Sequence, residues 1–159
     1  MDMLLPVAAR VGAKLVERGD TIAVAESSCG GLIAAALLAV PGASAYFLGG
    51  SVVYTVQARE GLVGISREQM QGVRSSSEPY AELLAGAVRG KVGARWGLAE
   101  TGAAGPTGNR YGDPAGHTCI AVAGPREVVL TYRTGADDRA ANMRAFALKA
   151  LEVMDQQLS

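Results

Sequence analysis

The chain has 159 residues, and a hydrophobic content of 49% with 21 glycines fits one packed α/β domain. Fifteen basic and fifteen acidic residues cancel with no run of like charge, which argues against nucleic acid or an anionic membrane as partner and favours a small molecule. The longest apolar run, residues 32–40, is too short to span a membrane. Two distant cysteines and no secretory signal predict a cytoplasmic protein without a disulfide framework.

Hydrophobic periodicity predicts helices that alternate with short apolar strands. In chain order these are a helix over 3–18, a strand over 21–25, a helix over 32–39, a strand over 51–55, a helix over 57–63, a helix starting at Ser66, a helix over 78–92, a strand over 96–99, a hairpin of strands over 119–122 and 128–132, and a helix over 138–156. This order predicts a three-layer α/β/α sandwich with a mixed sheet, formed by a single domain over residues 1–159.

A turn rich in small residues, E-S-S-C-G-G at 26–31, connects the first predicted strand to the second helix. The free N–H groups and positive dipole at such a helix start predict an anion site, for example for phosphate. A turn whose serines only cap the helix would have the same sequence pattern. Cys29 could be a nucleophile at this helix start. Because no histidine lies nearby in sequence, a small buried cysteine is favoured.

The longest predicted loop covers Thr101 to Thr118 and holds five glycines and two prolines. Glycines let the backbone adopt conformations closed to other residues and let a ligand approach main-chain N–H groups. Long loops inside compact domains are usually functional or disordered, and this loop has few charges. We therefore predict an ordered ligand-binding loop.

Several separate motifs now carry a resemblance to a known family. They are E-S-S-C-G-G-L-I-A-A at 26–35, P-G-A-S-A-Y-F at 41–47, V-V-Y at 52–54, S-E-P at 77–79, and T-G-A-A-G-P at 101–106 with its glycine-rich continuation to residue 118. In this order they resemble the C-terminal domain of the CinA family, whose stand-alone members are nicotinamide-nucleotide amidohydrolases. The resemblance covers nearly the whole chain.

The resemblance implies that the carboxamide of nicotinamide mononucleotide (NMN) is hydrolysed to nicotinate mononucleotide and ammonia by a serine–lysine dyad, with no cofactor. By the family pattern, the catalytic positions are Ser44 as nucleophile, Tyr54, and Arg59 where the family has its lysine. The implied substrate-binding positions are Glu26, Ser27, Gly30, Gly31, Thr101, Gly102, Ala104, Gly105, Pro106 and Arg139.

The departure at Arg59 matters most, because an arginine stays protonated near neutral pH and cannot act as a neutral base. The three lysines, Lys14, Lys91 and Lys149, lie outside every motif. Further departures are Cys29 for a threonine, Ser28 for a cysteine, Ala43 for a serine and Asp113 for a lysine.

Three hypotheses follow. The chain is an NMN amidohydrolase whose base is Glu26, His117 or a water held by Tyr54; or an amidohydrolase with another amide or nucleotide substrate, in which Arg59 grips an anion; or a non-catalytic binding module. Arg133 and Arg139 are candidate phosphate ligands. One histidine and two separated cysteines predict no metal site, and the apolar content permits a homodimer.

Overall fold

The structure, a computed structural model, describes residues 1–159 as five strands, five α-helices and one short 3₁₀ turn. The elements are α1 (Leu5–Arg18), β1 (Ile22–Glu26), α2 (Leu32–Leu38), the 3₁₀ turn (Ala43–Ala45), β2 (Phe47–Val52), α3 (Val56–Val63), α4 (Glu78–Val92), β3 (Trp96–Ala103), β4 (His117–Ala123), β5 (Val128–Arg133) and α5 (Arg139–Gln157).

The strands form one sheet in the order β2-β1-β3-β4-β5. β1 pairs in parallel with both β2 and β3, whereas β4 runs antiparallel to β3 and to β5. The carboxyl ends of β1, β2 and β3 therefore meet the amino end of β4 at one edge of the sheet, where α/β proteins commonly bind ligands.

Alternation along β1 divides the core into two parts. Ile22 and Val24 face a large core shared with α1, α2 and α5, whereas Ala23 and Ala25 face a smaller core under α3 and α4. Helices cover both faces of a mixed sheet, so the predicted three-layer sandwich is confirmed. No helix is long and apolar enough to pass through a bilayer.

Four predicted elements differ from the structure. β2 begins at Phe47 instead of at 51, because Gly49 and Gly50 within the strand resemble a turn in sequence. The helix predicted at Ser66 is wrong: the Ser66 hydroxyl accepts from the Gln69 N–H, but the segment makes only turns before Gly72, whose φ is 73°. β3 and β4 also extend into the predicted loop.

Helix starts were predicted more accurately, since capping residues mark them. α4 has its predicted range, and the Ser77 hydroxyl accepts from the Tyr80 N–H at 3.3 Å. The Asp138 carboxylate caps α5 by accepting from the Ala141 N–H at 2.9 Å. This cap places Arg139 at the first position of α5, beside the glycine-rich loop.

Candidate active site

Two adjoining cavities form a cleft at the edge of the sheet where β1, β2 and β3 end. One has a volume of about 370 Å³ and the other about 220 Å³, and both are lined by Tyr54 and Gly102. The larger cavity is further lined by Ser27, Val53, Thr55, Val56, Arg59, Ser75, Ser76, Tyr80 and Thr101. The smaller is further lined by Ser28, Ala103, Ala104, Gly105, Thr107, Gly108, Asn109 and Arg139.

Glu26 lies beneath this cleft and is only 1% exposed. Its carboxylate accepts from the N–H groups of Gly31, Ile33 and Ala34 at 3.2, 3.0 and 2.9 Å. The first turn of α2 is therefore occupied by a carboxylate, and the prediction that it binds an external anion is wrong. Glu26, Gly30 and Gly31 shape the turn without lining either cavity; the φ of Gly30 is 64°.

Glu100 is a second buried carboxylate, on the neighbouring strand β3, and sequence reasoning missed it. Its Oε2 accepts from the N–H groups of Ser27 and Cys29 at 3.1 and 2.9 Å. Its Oε1 accepts from the hydroxyls of Ser28 and Thr118. A single acidic residue inside the buried strand W-G-L-A-E-T was the available signal.

Burial, with a smaller contribution from the neighbouring Glu100, raises the pKa of Glu26 to about 7 against the three N–H donors that favour its charged form. Burial, followed by Glu100 and Glu26, also raises the pKa of the Cys29 thiol well above its usual value. A thiol in these surroundings stays protonated, so Cys29 is the small buried cysteine that was favoured from sequence.

Ser27 and Arg59 line the same cavity. The Ser27 backbone is held by Glu100, while its hydroxyl makes no hydrogen bond within the chain. The Arg59 guanidinium donates from Nε to the Tyr80 hydroxyl at 3.2 Å and from Nη2 to Ser75 Oγ at 2.9 Å. It also lies 4.7 Å from the centre of the Tyr80 ring. Nη1 is left without a partner in the chain.

Ser44 lies at the opposite edge of the sheet from the cleft. It belongs to the 3₁₀ turn before β2, and this turn is joined to the start of β1 by the Ile22 N–H bond to the Tyr46 carbonyl. β2 has six residues and so spans roughly 20 Å. Ser44 therefore cannot act as nucleophile in a cleft formed by one chain, and this structure does not bring it to Tyr54 or Arg59.

The glycine-rich loop covers the far end of the cleft. A Cβ at Gly102 would collide with the His117 carbonyl oxygen, so only glycine lets β3 and β4 approach here. Arg139 fixes the loop by donating from Nη1 to the Gly105 carbonyl at 2.6 Å, and from Nη2 to the Tyr54 hydroxyl at 3.0 Å. Thr101 accepts from the Ser76 N–H at 3.2 Å. Ala104 is buried, whereas Pro106 is exposed and lines neither cavity.

His117 is fully engaged in packing this loop against the start of α4. Arg133 Nε donates to His117 Nδ1 at 3.3 Å, so the ring proton lies on Nε2, which is 2.9 Å from the Ser76 carbonyl. Arg133 is thus occupied beside His117 and lines neither cavity. With Glu26 held by α2, neither side chain proposed as a base faces Ser27. The chain has no group of three or more potential metal ligands.

The chain is similar to known proteins over most of its length. A family model for the CinA C-terminal domain matches residues 5–158. The chain belongs to the CinA C-terminal domain family. It is 40% identical to the CinA-like protein of Desulfosudis oleivorans over 158 residues, which cover 99% of this chain and 38% of that protein. It is 42% identical to that of Gloeobacter violaceus over 131 residues, covering 82% and 31%. The chain thus spans about a third of these curated relatives.

Solved structures of CinA superfamily proteins share this fold. The protein from Klebsiella pneumoniae gives a TM-score of 0.91 at 26% identity, covering 98% of this chain and 97% of that one. The competence/damage-inducible protein from Agrobacterium tumefaciens gives 0.87 at 30% identity, covering 98% and 95%.

In this CinA domain, Arg74 binds Asp113 with bonds of 2.7 and 3.1 Å. Burial alone would raise the pKa of Asp113, but the bonds from Arg74 and Asn109 lower it.

Proposed function

We propose that this CinA domain hydrolyses the carboxamide of a pyridine nucleotide such as NMN, with Ser27 as the nucleophile. The observation that carries the proposal is that Ser27 has a free hydroxyl on the wall of the cavity that also contains Arg59, at the family's lysine position. Ser27 takes the role that the family resemblance implied for Ser44, because Ser44 lies at the other edge of the sheet.

The reaction proceeds by acyl transfer. Ser27 Oγ attacks the carboxamide carbon as its proton passes to water. The C–N bond then breaks, and the NH2 group takes a proton from water and leaves as ammonia. A further water hydrolyses the nicotinoyl ester to the acid and regenerates Ser27. Arg59 Nη1, which is charged and has no partner, would stabilise the oxyanion of the tetrahedral intermediate. No side chain accepts the Ser27 proton directly, so it goes to solvent and turnover is slow.

The nucleotide phosphate would lie at the other end of the cleft. Arg139, Thr107 and Asn109 line the smaller cavity there, together with the backbone of the glycine-rich loop. The Arg139 guanidinium is held by Gly105 and Tyr54, which aligns its donors for an anion. The ribose and ring would then extend past Tyr54 and Gly102 toward Ser27.

A second candidate function is nucleotide binding without hydrolysis. It is favoured by one specific observation: Arg59 is permanently charged and bonded to Tyr80 and Ser75, while Glu26 and His117 are engaged elsewhere. Under this alternative the cleft binds a pyridine nucleotide or a related anion and returns it unchanged.

Incubation of the purified chain with NMN, following ammonia and nicotinate mononucleotide together, tests the proposal. We expect slow formation of both products, abolished by Ser27→Ala and retained in Ser44→Ala. A flat trace beside an active family member would favour the binding alternative. Loss of turnover in Ser44→Ala, with Ser27→Ala active, would overturn the assignment of the nucleophile.

A further inference from the structure

Two arginines that line the cleft, Arg59 and Arg139, have no carboxylate partner, and neither has Arg110, which lines neither cavity. Arg59 and Arg110 lie toward the end that holds Ser75, and Arg139 lies at the end that holds the glycine-rich loop. None of the three forms an ion pair, whereas Arg74, close by, is neutralised by Asp113. Each end of the cleft therefore presents a guanidinium that no carboxylate contacts directly.

The positive charge at the Arg59 end is held in a fixed geometry. The Tyr80 hydroxyl accepts from Arg59 Nε, and the Arg59 guanidinium also lies over the Tyr80 ring. Ser75 Oγ accepts from Arg59 Nη2. Arg110 Nη2 donates to the Tyr111 hydroxyl at 3.0 Å, and Arg110 Cζ lies 5.1 Å from the centre of that ring. A guanidinium held this way loses little side-chain entropy when it binds an oxyanion.

Tyr111 lies among the cations at this end of the cleft. Arg74, which donates to the Ser75 carbonyl at 3.0 Å, is also 5.1 Å from the centre of the Tyr111 ring, so Tyr111 is close to the Ser75 side of the larger cavity. In agreement with this position, the hydrogen bond from Arg110 lowers the pKa of the Tyr111 phenol, and Ser75 and Arg59 lower it further. The carboxylates of Glu26 and Glu100 lie below Ser27, where N–H and hydroxyl donors surround them.

We propose that the cleft prefers a ligand with an anionic group at each end, a carboxylate at Arg59 and a phosphate at Arg139. This deepens the proposed function and rests on it for the orientation of the nucleotide. NMN carries only the phosphate, since its carboxamide is neutral, whereas nicotinate mononucleotide carries both anions. The cleft thus binds the acid more tightly than the amide, which makes the product of deamidation its preferred ligand.

Equilibrium binding to the purified chain tests this preference without relying on turnover. The probes are nicotinate mononucleotide, NMN and nicotinamide riboside, titrated calorimetrically at constant ionic strength. A hydrogen-bonded charge pair of this kind gives about tenfold in affinity, so we expect the acid to bind about tenfold more tightly than NMN, and the riboside to bind most weakly.

Variants separate the two ends. Arg59→Gln should remove most of the difference between acid and amide, and Arg110→Gln should reduce it; Arg139→Gln should weaken both mononucleotides alike. Arg67→Gln is the matched control, because its side chain is 86% exposed and contacts only Glu60. Melting temperatures confirm that each variant folds.

Equal affinity for acid and amide, or an equal loss of both in Arg59→Gln, would overturn the preference. NMN turnover is measured in the same preparation. Turnover of NMN without tighter binding of the acid would support the proposed function and reject this inference. Tighter binding of the acid without turnover would support this inference and reject hydrolysis as the function.

Discussion

The floor and the wall of the cleft use charge in opposite ways. The floor holds two carboxylates, Glu26 and Glu100, which are at most 1% exposed and together accept from five backbone N–H groups and two hydroxyls. The wall holds Arg59 and Arg139, which are reached by solvent and keep donors free of any carboxylate. The floor is complete within the chain, whereas the wall needs a ligand to complete it.

This contrast separates stability from function. A buried carboxylate whose donors are all supplied by one turn fixes that turn, and its loss leaves several polar groups without partners. A guanidinium with no carboxylate partner, such as Arg59 or Arg139, adds less to folding through its few neutral hydrogen bonds and is available for binding. We therefore expect changes in the floor to alter the free energy of unfolding, and changes in the wall to alter binding and rate.

The largest effect should come from Glu100→Ala in the floor. It would leave the N–H groups of Ser27 and Cys29 and the Ser28 hydroxyl unpaired in a buried site, while the Thr118 hydroxyl keeps its bond to the Thr101 carbonyl. We therefore expect the free energy of unfolding to fall by about 4 kcal/mol. Urea titration measures this fall. Thr118→Val, which removes one of the four donors, should cost about 1 kcal/mol.

Glu17 on α1 provides the control for Glu100, since it is exposed and makes no hydrogen bond with its side chain. Glu17→Ala should change the urea midpoint little. If Glu100→Ala were as stable as this control, Glu100 would not hold the turn in place. The distinction between a floor that stabilises the fold and a wall that binds the ligand would then be wrong.

The next effect should come from Arg59→Lys in the wall. A lysine amine in this half-buried cavity can lose its proton and act as the base for Ser27, which is the role that the family resemblance implies for a lysine at this position. General-base catalysis contributes about 10²-fold or more to rate. We therefore expect kcat for NMN to rise by about 10²-fold, measured as ammonia release, with stability nearly unchanged.

The double variant Ser27→Ala with Arg59→Lys should lose this gain, which ties the lysine to Ser27. Arg67→Lys, on the exposed surface, should have no effect. A decrease in turnover in Arg59→Lys would mean that Arg59 contributes more as an oxyanion donor or ligand than a base would supply.

The fold was predictable because its signals are local. The short, nearly all apolar run T-I-A-V-A over 21–25 and the capping residue Ser77 are signals that depend only on near neighbours. β2 was placed four residues too late because Gly49 and Gly50 read as a turn, whereas pairing with β1 makes them strand. The bounds of β3 likewise depend on β4, which lies far along the chain.

The site was less predictable, because it depends on which edge of the sheet each motif reaches. Tyr54, Arg59, Gly102 and Arg139 were all named from sequence and do line one cleft. Ser44 was named with them. The order of motifs along the chain does not show that Ser44 lies before β2, at the end of the strand opposite the cleft. Glu26 was likewise named as a substrate-binding residue, but it is buried and forms part of the floor of the cleft.

The floor also predicts a dependence of stability on pH. The pKa of Glu26 is raised in the folded chain to about 7, from the usual 4.5. The folded chain therefore holds a proton that the unfolded chain has released between these values, so the stabilisation is complete below about 4.5 and is lost as pH rises through about 7. We expect the free energy of unfolding to fall by about 2 kcal/mol from about pH 5 to about pH 8.

Urea titrations of the parent chain and of Glu26→Gln across this range measure the effect. The carboxyls whose pKa is lowered, Asp20, Asp113 and Asp155, titrate at lower pH and contribute little in this window. Glu26→Gln should give a flatter curve than the parent chain. Parallel curves would place the titration elsewhere and contradict the burial of Glu26 as its cause.

The smallest effect should come from Tyr54→Phe, at the junction of the two cavities. Tyr54 is 62% exposed, and its hydroxyl accepts from Arg139, which stays bound to Gly105 after the change. One exposed hydrogen bond contributes little, so we expect KM for NMN to rise about threefold, with kcat and stability unchanged. Tyr132→Phe, away from the cleft, is the control. A hundredfold fall in kcat would instead place the Tyr54 hydroxyl in the chemistry, as a second catalytic group of the wall besides Arg59.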